Sequence, residues 1–83
     1  MAMLISVDGE QTVVEPKGAT FSLDELQEYV GGFIEILPID EDRRAVANDE
    51  GRIRQMPMNP VASKAAGYLL VGPILVVSRG EIE

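Results

Sequence analysis

The segment from Phe21 to Gly32 constrains the fold of this chain more than any other stretch. Ser22 followed by Glu25 is a capping box, in which each side chain accepts a hydrogen bond from the other residue's backbone N–H. Apolar residues then recur at spacings of three and four, and the two glycines at the end favour a left-handed stop. The pattern predicts a helix over about residues 22–31. A helix this short depends on tertiary packing for its stability.

Alternating runs on either side of this helix predict a sheet. Residues 3–7 and 11–15 alternate around Asp8-Gly9, a dipeptide that favours a tight hairpin turn. We therefore expect two antiparallel strands there. Residues 33–37 form a third apolar, β-branched run, and Pro38 is expected at its end or on a sheet edge.

The second half of the chain contains three further strand candidates. Residues 44–48 and 52–55 are short runs separated by the turn sequence Asn48–Gly51, which predicts a second hairpin. The last run, residues 68–78, is predicted to be a strand that Gly72-Pro73 interrupts with a bulge or bend.

A second short helix is predicted to follow the dipeptide Asn59-Pro60. Asparagine is a favoured N-cap, and proline suits the first helical position because that position needs no N–H donor. Residues 60–66 are rich in alanine, and Gly67 ends the run. The sequence thus predicts one α+β domain over residues 1–83, with a small, mostly antiparallel sheet of five or six short strands, one well-capped helix and a second short helix.

The composition excludes several classes of function. The chain has no Cys and no His, which removes disulfides, thiol nucleophiles, thiolate or imidazole zinc sites and His-based acid–base catalysis. Carboxylates that are merely adjacent in sequence, such as Asp49 and Glu50, lack the alternating ligands of a calcium loop. We therefore predict a protein that is not an enzyme and uses no metal and no cofactor.

The net charge and hydropathy limit the partners. A formal charge of −7 disfavours binding to duplex nucleic acid or to an anionic membrane surface. No run reaches the roughly 18 apolar residues of a membrane span, and no signal peptide is recognisable, so we expect a cytoplasmic protein. Because so short a chain buries a modest core, a homo-oligomer is also expected.

Four sequence segments, taken together in their order and spacing, carry a family resemblance. They are Val30–Glu35, Asn48–Gly51, Pro57–Ala62 and Val71–Val77. Together they resemble the domain-of-unknown-function family 3846, a family of small phage- and plasmid-borne proteins, over nearly the whole chain. The resemblance implies no activity. It does imply a mobile-element setting in a host cell, where small phage proteins often act as inhibitors, decoys or ligand sponges against host defence.

Five residues are candidates for binding a ligand. Arg52 or Arg54 would hold a phosphate or carboxylate, because a guanidinium group offers a fork of donors. Asn48 in the predicted turn and Asn59 at the helix start would orient the ligand, and Tyr68 would stack on it. Each residue also has a purely structural interpretation. The arginines would belong to a solvated charged hairpin, Asn48 to a turn, and Asn59 and Tyr68 to a capped connector.

Two functions remain open from the sequence. The first is a non-catalytic binding protein that sequesters a small anionic, nucleotide-like ligand to counter host defence. The alternative is a protein–protein interaction module, or an acidic inhibitor of a host protein. That module would present the acidic turn at residues 40–42 or an edge strand over residues 68–77.

Overall fold

Five antiparallel strands form one sheet in the order β2-β1-β5-β4-β3 in the computed structural model, which describes residues 1–82. The elements are β1 (Ala2–Ile5), β2 (Gln11–Val14), α1 (Leu23–Val30), β3 (Ile34–Pro38), β4 (Arg43–Asn48), α2 (Pro60–Ala66) and β5 (Ile74–Ser78), followed by a 3₁₀ turn at Arg79–Glu81. The predicted α+β class is confirmed. No helix within residues 1–82 combines the length and hydropathy needed to cross a membrane.

The first hairpin and α1 form as predicted. β1 and β2 pair antiparallel, and Gly9 in the intervening turn has a φ of 92°, a conformation that glycine adopts without a steric penalty. The Ser22 hydroxyl accepts from the Glu25 N–H, and the Glu25 carboxylate accepts from the Ser22 N–H. Gly31 then ends α1 with a φ of 80°. These local signals fix where the helix starts and stops.

The two helices contribute to apolar clusters on opposite faces of the sheet, because side chains alternate along each strand. One face packs against α1, and its buried cluster consists of Ala2, Phe21, Leu26, Val30, Val46, Leu75 and Val77. The other face carries α2, and its buried cluster consists of Ile5, Ala45, Ala47, Ala62, Leu70 and Ile74. The central strands are therefore apolar on both sides.

The predicted strand at residues 52–55 is wrong. Residues 49–55 instead form a series of tight turns, in which the Arg54 N–H donates to the Glu50 carbonyl at 2.8 Å. Gln55 closes the series with a φ of 55°. The physical reason is that β4 already pairs with β3 on one side and with β5 on the other. No side of β4 is left for a returning strand.

The last strand is shorter than predicted and lies elsewhere in the sheet. β5 spans only Ile74–Ser78, and the preceding loop at residues 68–73 makes a single β-bridge, between Met58 and Val71. β5 is the central strand, between β1 and β4. The expected edge strand over residues 68–77 is therefore wrong, and the two edges of the sheet are β2 and β3.

Candidate functional site

A cleft of about 290 Å³ lies over β3 and the end of β4, on the same face as α2. Its base contains Glu35, Leu37 and Ala47, and Glu35 lies directly opposite Ala47 in the β3–β4 pairing. One wall is the turn segment at residues 49–53, and the other is the loop at residues 68–71. No residue of α2 lines the cleft, so this part of the sheet face stays open.

Asn48 is among the residues that line the cleft, but its side chain points to the face of the sheet that carries α1, where it holds one wall in place. The residue is 4% exposed. Its side-chain N–H donates to the Val30 carbonyl at 3.0 Å, and its side-chain oxygen accepts from the Glu50 N–H at 2.8 Å. Asn48 therefore ties the turn that carries Arg52 to the end of α1, in addition to lining the cleft.

Arg52 and Tyr68 lie on opposite walls of the cleft. Arg52 is exposed, and within residues 1–82 its guanidinium group makes no ion pair or hydrogen bond. The Tyr68 hydroxyl donates to the Pro38 carbonyl at 2.6 Å, which fixes the ring beside β3. Burial raises the pKa of the Tyr68 phenol, and the Glu35 carboxylate raises it further, so the phenol stays neutral near pH 7.

The other arginines do not join Arg52. The Arg43 guanidinium donates to the Asp40 carboxylate at 2.9 Å, and Arg44 donates to the Asp40 carbonyl at 2.7 Å. The bond from Arg43, with further bonds from backbone N–H groups, lowers the pKa of Asp40. These residues lie at the start of β4, whereas Arg52 follows its end. Because the second hairpin does not form, nothing brings Arg44 to Arg52.

Arg54 caps a helix instead of lining the cleft. Its guanidinium group donates to the Gly31 carbonyl at 3.2 Å, just beyond the C-terminal end of α1. A cation is favoured there by the helix dipole and by carbonyls that have no partner within the helix. Arg54 therefore supports the position of the turn without facing a ligand in the cleft.

Asn59 is also outside the cleft, and it is fully buried, with 0% exposure. Its side-chain oxygen accepts from the Ala62 N–H at 3.1 Å, which is the predicted N-cap of α2. Its side-chain amide group donates to the carbonyls of Ile5 and Gly72, both at 2.9 Å. The residue joins α2, β1 and the loop before β5, and its side chain is enclosed by the protein.

The chain matches the family model described as a domain of unknown function (DUF3846) over residues 1–83, the whole sequence. It belongs to this family. The family resemblance carried by the four sequence segments is thereby confirmed. Comparison with curated proteins and with solved structures gave no match. Membership in the DUF3846 family brings no activity with it.

Several cleft residues of this DUF3846 member were not among the sequence candidates. Two carboxylates, Glu35 and Asp49, line the cleft together with Leu37 and Leu69. A signal for Glu35 was present, since a charged residue inside an apolar strand that ends in Pro38 indicates a sheet edge. Within residues 1–82, no group of three or more His, Cys, Asp or Glu side chains is placed to hold a metal ion.

Proposed function

We propose that the protein is a non-catalytic binding protein that holds a small, nucleotide-like ligand with one anionic group in this cleft. The observation that carries the proposal is the placement of Arg52 and Tyr68 on opposite walls of one cleft. Of the five sequence candidates, Arg52, Tyr68 and Asn48 line the cleft, and Asn48 supports the wall that carries Arg52.

The side chains of the cleft complement the parts of a nucleotide. Arg52 offers guanidinium donors that are unused within residues 1–82, and these match a phosphate. The Tyr68 ring is 39% exposed and offers a face on which a base stacks. Glu35 and Asp49 are acceptors for the amino and imino N–H groups of a base.

The size and charge of the cleft favour a ligand with a single phosphate. A volume of about 290 Å³ lies just below the range for small-molecule pockets, roughly 300–1,000 Å³. The lining carries two carboxylates, Glu35 and Asp49, and one guanidinium group, Arg52. With one positive and two negative side chains in its lining, the cleft favours a monophosphate over a triphosphate, because the carboxylates repel each added phosphate group.

The proposed role is sequestration of a nucleotide signal that host defence uses. The resemblance to phage- and plasmid-borne proteins supports this role, as does the lack of His and Cys nucleophiles or bases in the chain. The role requires that the protein act in the cytoplasm of a host cell, where such signals accumulate.

Isothermal titration with nucleoside mono-, cyclic and triphosphates tests the proposal. Arg52→Ala is expected to weaken binding of the best monophosphate at least about tenfold, because a charge-assisted contact is lost. Arg79→Ala is the matched control, since it removes the same charge near Asp42, at the opposite end of β4 from the cleft. Equal affinity in the Arg52→Ala variant, or no heat with any nucleotide, would contradict the proposal.

Native mass spectrometry of protein purified gently from its expression host adds a second readout. A retained extra mass would identify the ligand class directly. The same spectrum gives the number of subunits, and so tests the homo-oligomer that the small size of the chain predicts.

A second candidate is a protein–protein interaction module or acidic inhibitor. The turn between β3 and β4 favours it, because Glu41 and Asp42 are exposed there. Asp40 is unsuitable for a charge-reversal test, since its carboxylate accepts from Arg43 and from backbone N–H groups that hold the turn.

Reversing both exposed charges, with Glu41→Lys and Asp42→Lys, is expected to abolish capture of a host partner in a pull-down if charge mimicry operates. The control is Asp24→Lys, an exposed carboxylate in the first turn of α1. Undiminished capture by the double variant would show that charge mimicry at this turn is wrong.

A further inference from the structure

The outer edge of β3 offers backbone groups that the sheet does not use. The Asp49 N–H donates to the Phe33 carbonyl at 2.8 Å, which fixes the hydrogen-bonding register of β3 against β4. Glu35 and Leu37, at every second position after Phe33, therefore direct their backbone N–H and C=O groups toward β4. Ile34 and Ile36 lie between those residues and point their N–H and C=O groups away from the sheet.

These outward groups are limited to a short stretch. Within residues 1–82, no hydrogen bond is made to the backbone N–H or C=O of Ile34 or Ile36. Pro38, two residues further on, has no N–H, and its carbonyl already accepts the Tyr68 hydroxyl. The edge can thus pair with a strand segment of about three residues.

A second copy of the chain is a poor partner for this edge. An antiparallel copy that used both free residues would pair Ile34 with the copy's Ile36. Glu35 would then lie directly opposite the copy's Glu35, at the position where facing side chains are closest. Like charges in directly opposed positions are destabilising, and within residues 1–82 Glu35 has no ion pair of its own. A charged residue of this kind is a known means of preventing self-association at a sheet edge.

We infer that β3 accepts an extended peptide whose side chains alternate apolar, basic and apolar. The middle residue would lie opposite Glu35, on the face that carries the cleft, where Asp49 adds a second carboxylate. Opposite charges in a cross-strand pair are stabilising. Charge complementarity therefore selects lysine or arginine at that position.

The two flanking positions fall on the other face of the sheet, where an apolar groove borders β3. Cross-strand partners share a face, so these residues would lie beside Ile34 and Ile36. Ile36 is 42% exposed and Leu23 is 57% exposed, and both line the same groove at the start of α1. The inference does not rest on the nucleotide proposal, because the peptide would be held by the outward backbone groups of β3, whereas the phosphate contact uses Arg52. Glu35 is a residue that both proposals use.

The test uses two blocked synthetic peptides, one with a central Val-Lys-Val and one with a central Val-Glu-Val. Each is titrated into ¹⁵N-labelled protein and followed by amide chemical shifts. The lysine peptide is expected to shift the amides of Ile34 and Ile36 and to bind at least about tenfold more tightly than the glutamate peptide. Equal binding of the two peptides, or shifts confined to other strands, would overturn the inference.

Three variants separate edge pairing from other effects. Ile36→Pro removes one outward N–H without touching the bonds to β4, and it should abolish peptide binding. Val13→Pro is the matched control on β2, because the bond from the Ser6 N–H to the Glu10 carbonyl shows that Val13 also points outward. Glu35→Lys should reverse the preference toward the glutamate peptide, a gain that a misfolded variant cannot show.

Two further outcomes are decisive. If the Ile36→Pro variant still binds the lysine peptide, the edge is not the docking surface. If the amides of Ile34 and Ile36 shift with protein concentration alone, a second copy occupies the edge and the inference is wrong. The nucleotide affinity of the Ile36→Pro variant is expected to equal that of the unmodified protein. This measurement therefore distinguishes failure of the peptide-docking inference from failure of the cleft proposal.

Discussion

Replacing Asn59 with alanine is expected to lower the free energy of unfolding by about 3 kcal/mol. The side chain is fully buried and makes three hydrogen bonds, to the Ala62 N–H and to the carbonyls of Ile5 and Gly72. Alanine would remove the N-cap of α2, which contributes roughly 1 kcal/mol. It would also leave two carbonyls without this donor, at roughly 1 kcal/mol or more each.

Urea denaturation followed by circular dichroism measures this loss. Ser22→Ala is the matched control, because Ser22 caps α1 in the same way but is exposed and, within residues 1–82, its side chain bonds to no other element. We expect that control to lose only about 1 kcal/mol. If Asn59→Ala loses no more than the control, the bridging role of Asn59 is wrong.

Replacing Leu75 with alanine is expected to cost about 3 kcal/mol as well, for a different reason. Leu75 has 0% exposure and lies on β5, directly between Leu4 on β1 and Val46 on β4. Removing a fully buried leucine loses the transfer free energy of its methyl and methylene groups and leaves a cavity that a central strand cannot close. The same denaturation experiment measures the change.

The control for the position of β5 is Val13→Ala on the edge strand β2. Val13 is 53% exposed, so its truncation should change the free energy of unfolding by less than about 0.5 kcal/mol. Similar small losses at both positions would mean that β5 is not the centre of the sheet. Such a result would contradict the strand order on which the cleft depends.

The local parts of the fold were predictable because their causes lie within a few residues. Ser22 and Glu25 satisfy each other's N–H groups across one turn of helix, so the start of α1 follows from the sequence. Gly9 and Gly31 likewise mark a hairpin and a helix end through their own backbone angles. The same holds for the capping of α2 by Asn59.

The sheet order was not predictable, because it depends on competition between distant segments. Residues 44–48 and 52–55 are close in sequence and resemble a hairpin, but β5 takes that side of β4 instead. An apolar run such as Ile74–Ser78 is consistent with either a buried centre or an exposed edge, and only the pairing decides. Because β5 pairs with a strand on each side, the predicted edge strand over residues 68–77 does not form.

The candidate site was predictable only in part, for the same reason. Arg52 and Tyr68 share a cleft because the turn after β4 and the loop before β5 meet over one face of the sheet. The polarity of Asn59 at a helix start predicts a ligand contact, yet its buried side-chain amide group donates to the carbonyls of Ile5 and Gly72. Sequence identifies such polar residues, whereas long-range packing determines which of them line the cleft.

The cleft proposal is tested most directly by titrating ¹⁵N-labelled protein with nucleoside monophosphates and recording amide chemical shifts. The account predicts saturable shifts in both walls, at residues 49–53 and 68–71, that need at least about tenfold more ligand in Arg52→Ala and are unchanged in Arg79→Ala. Shifts that are absent at saturating ligand, or that spare both walls, would contradict a binding function for this cleft.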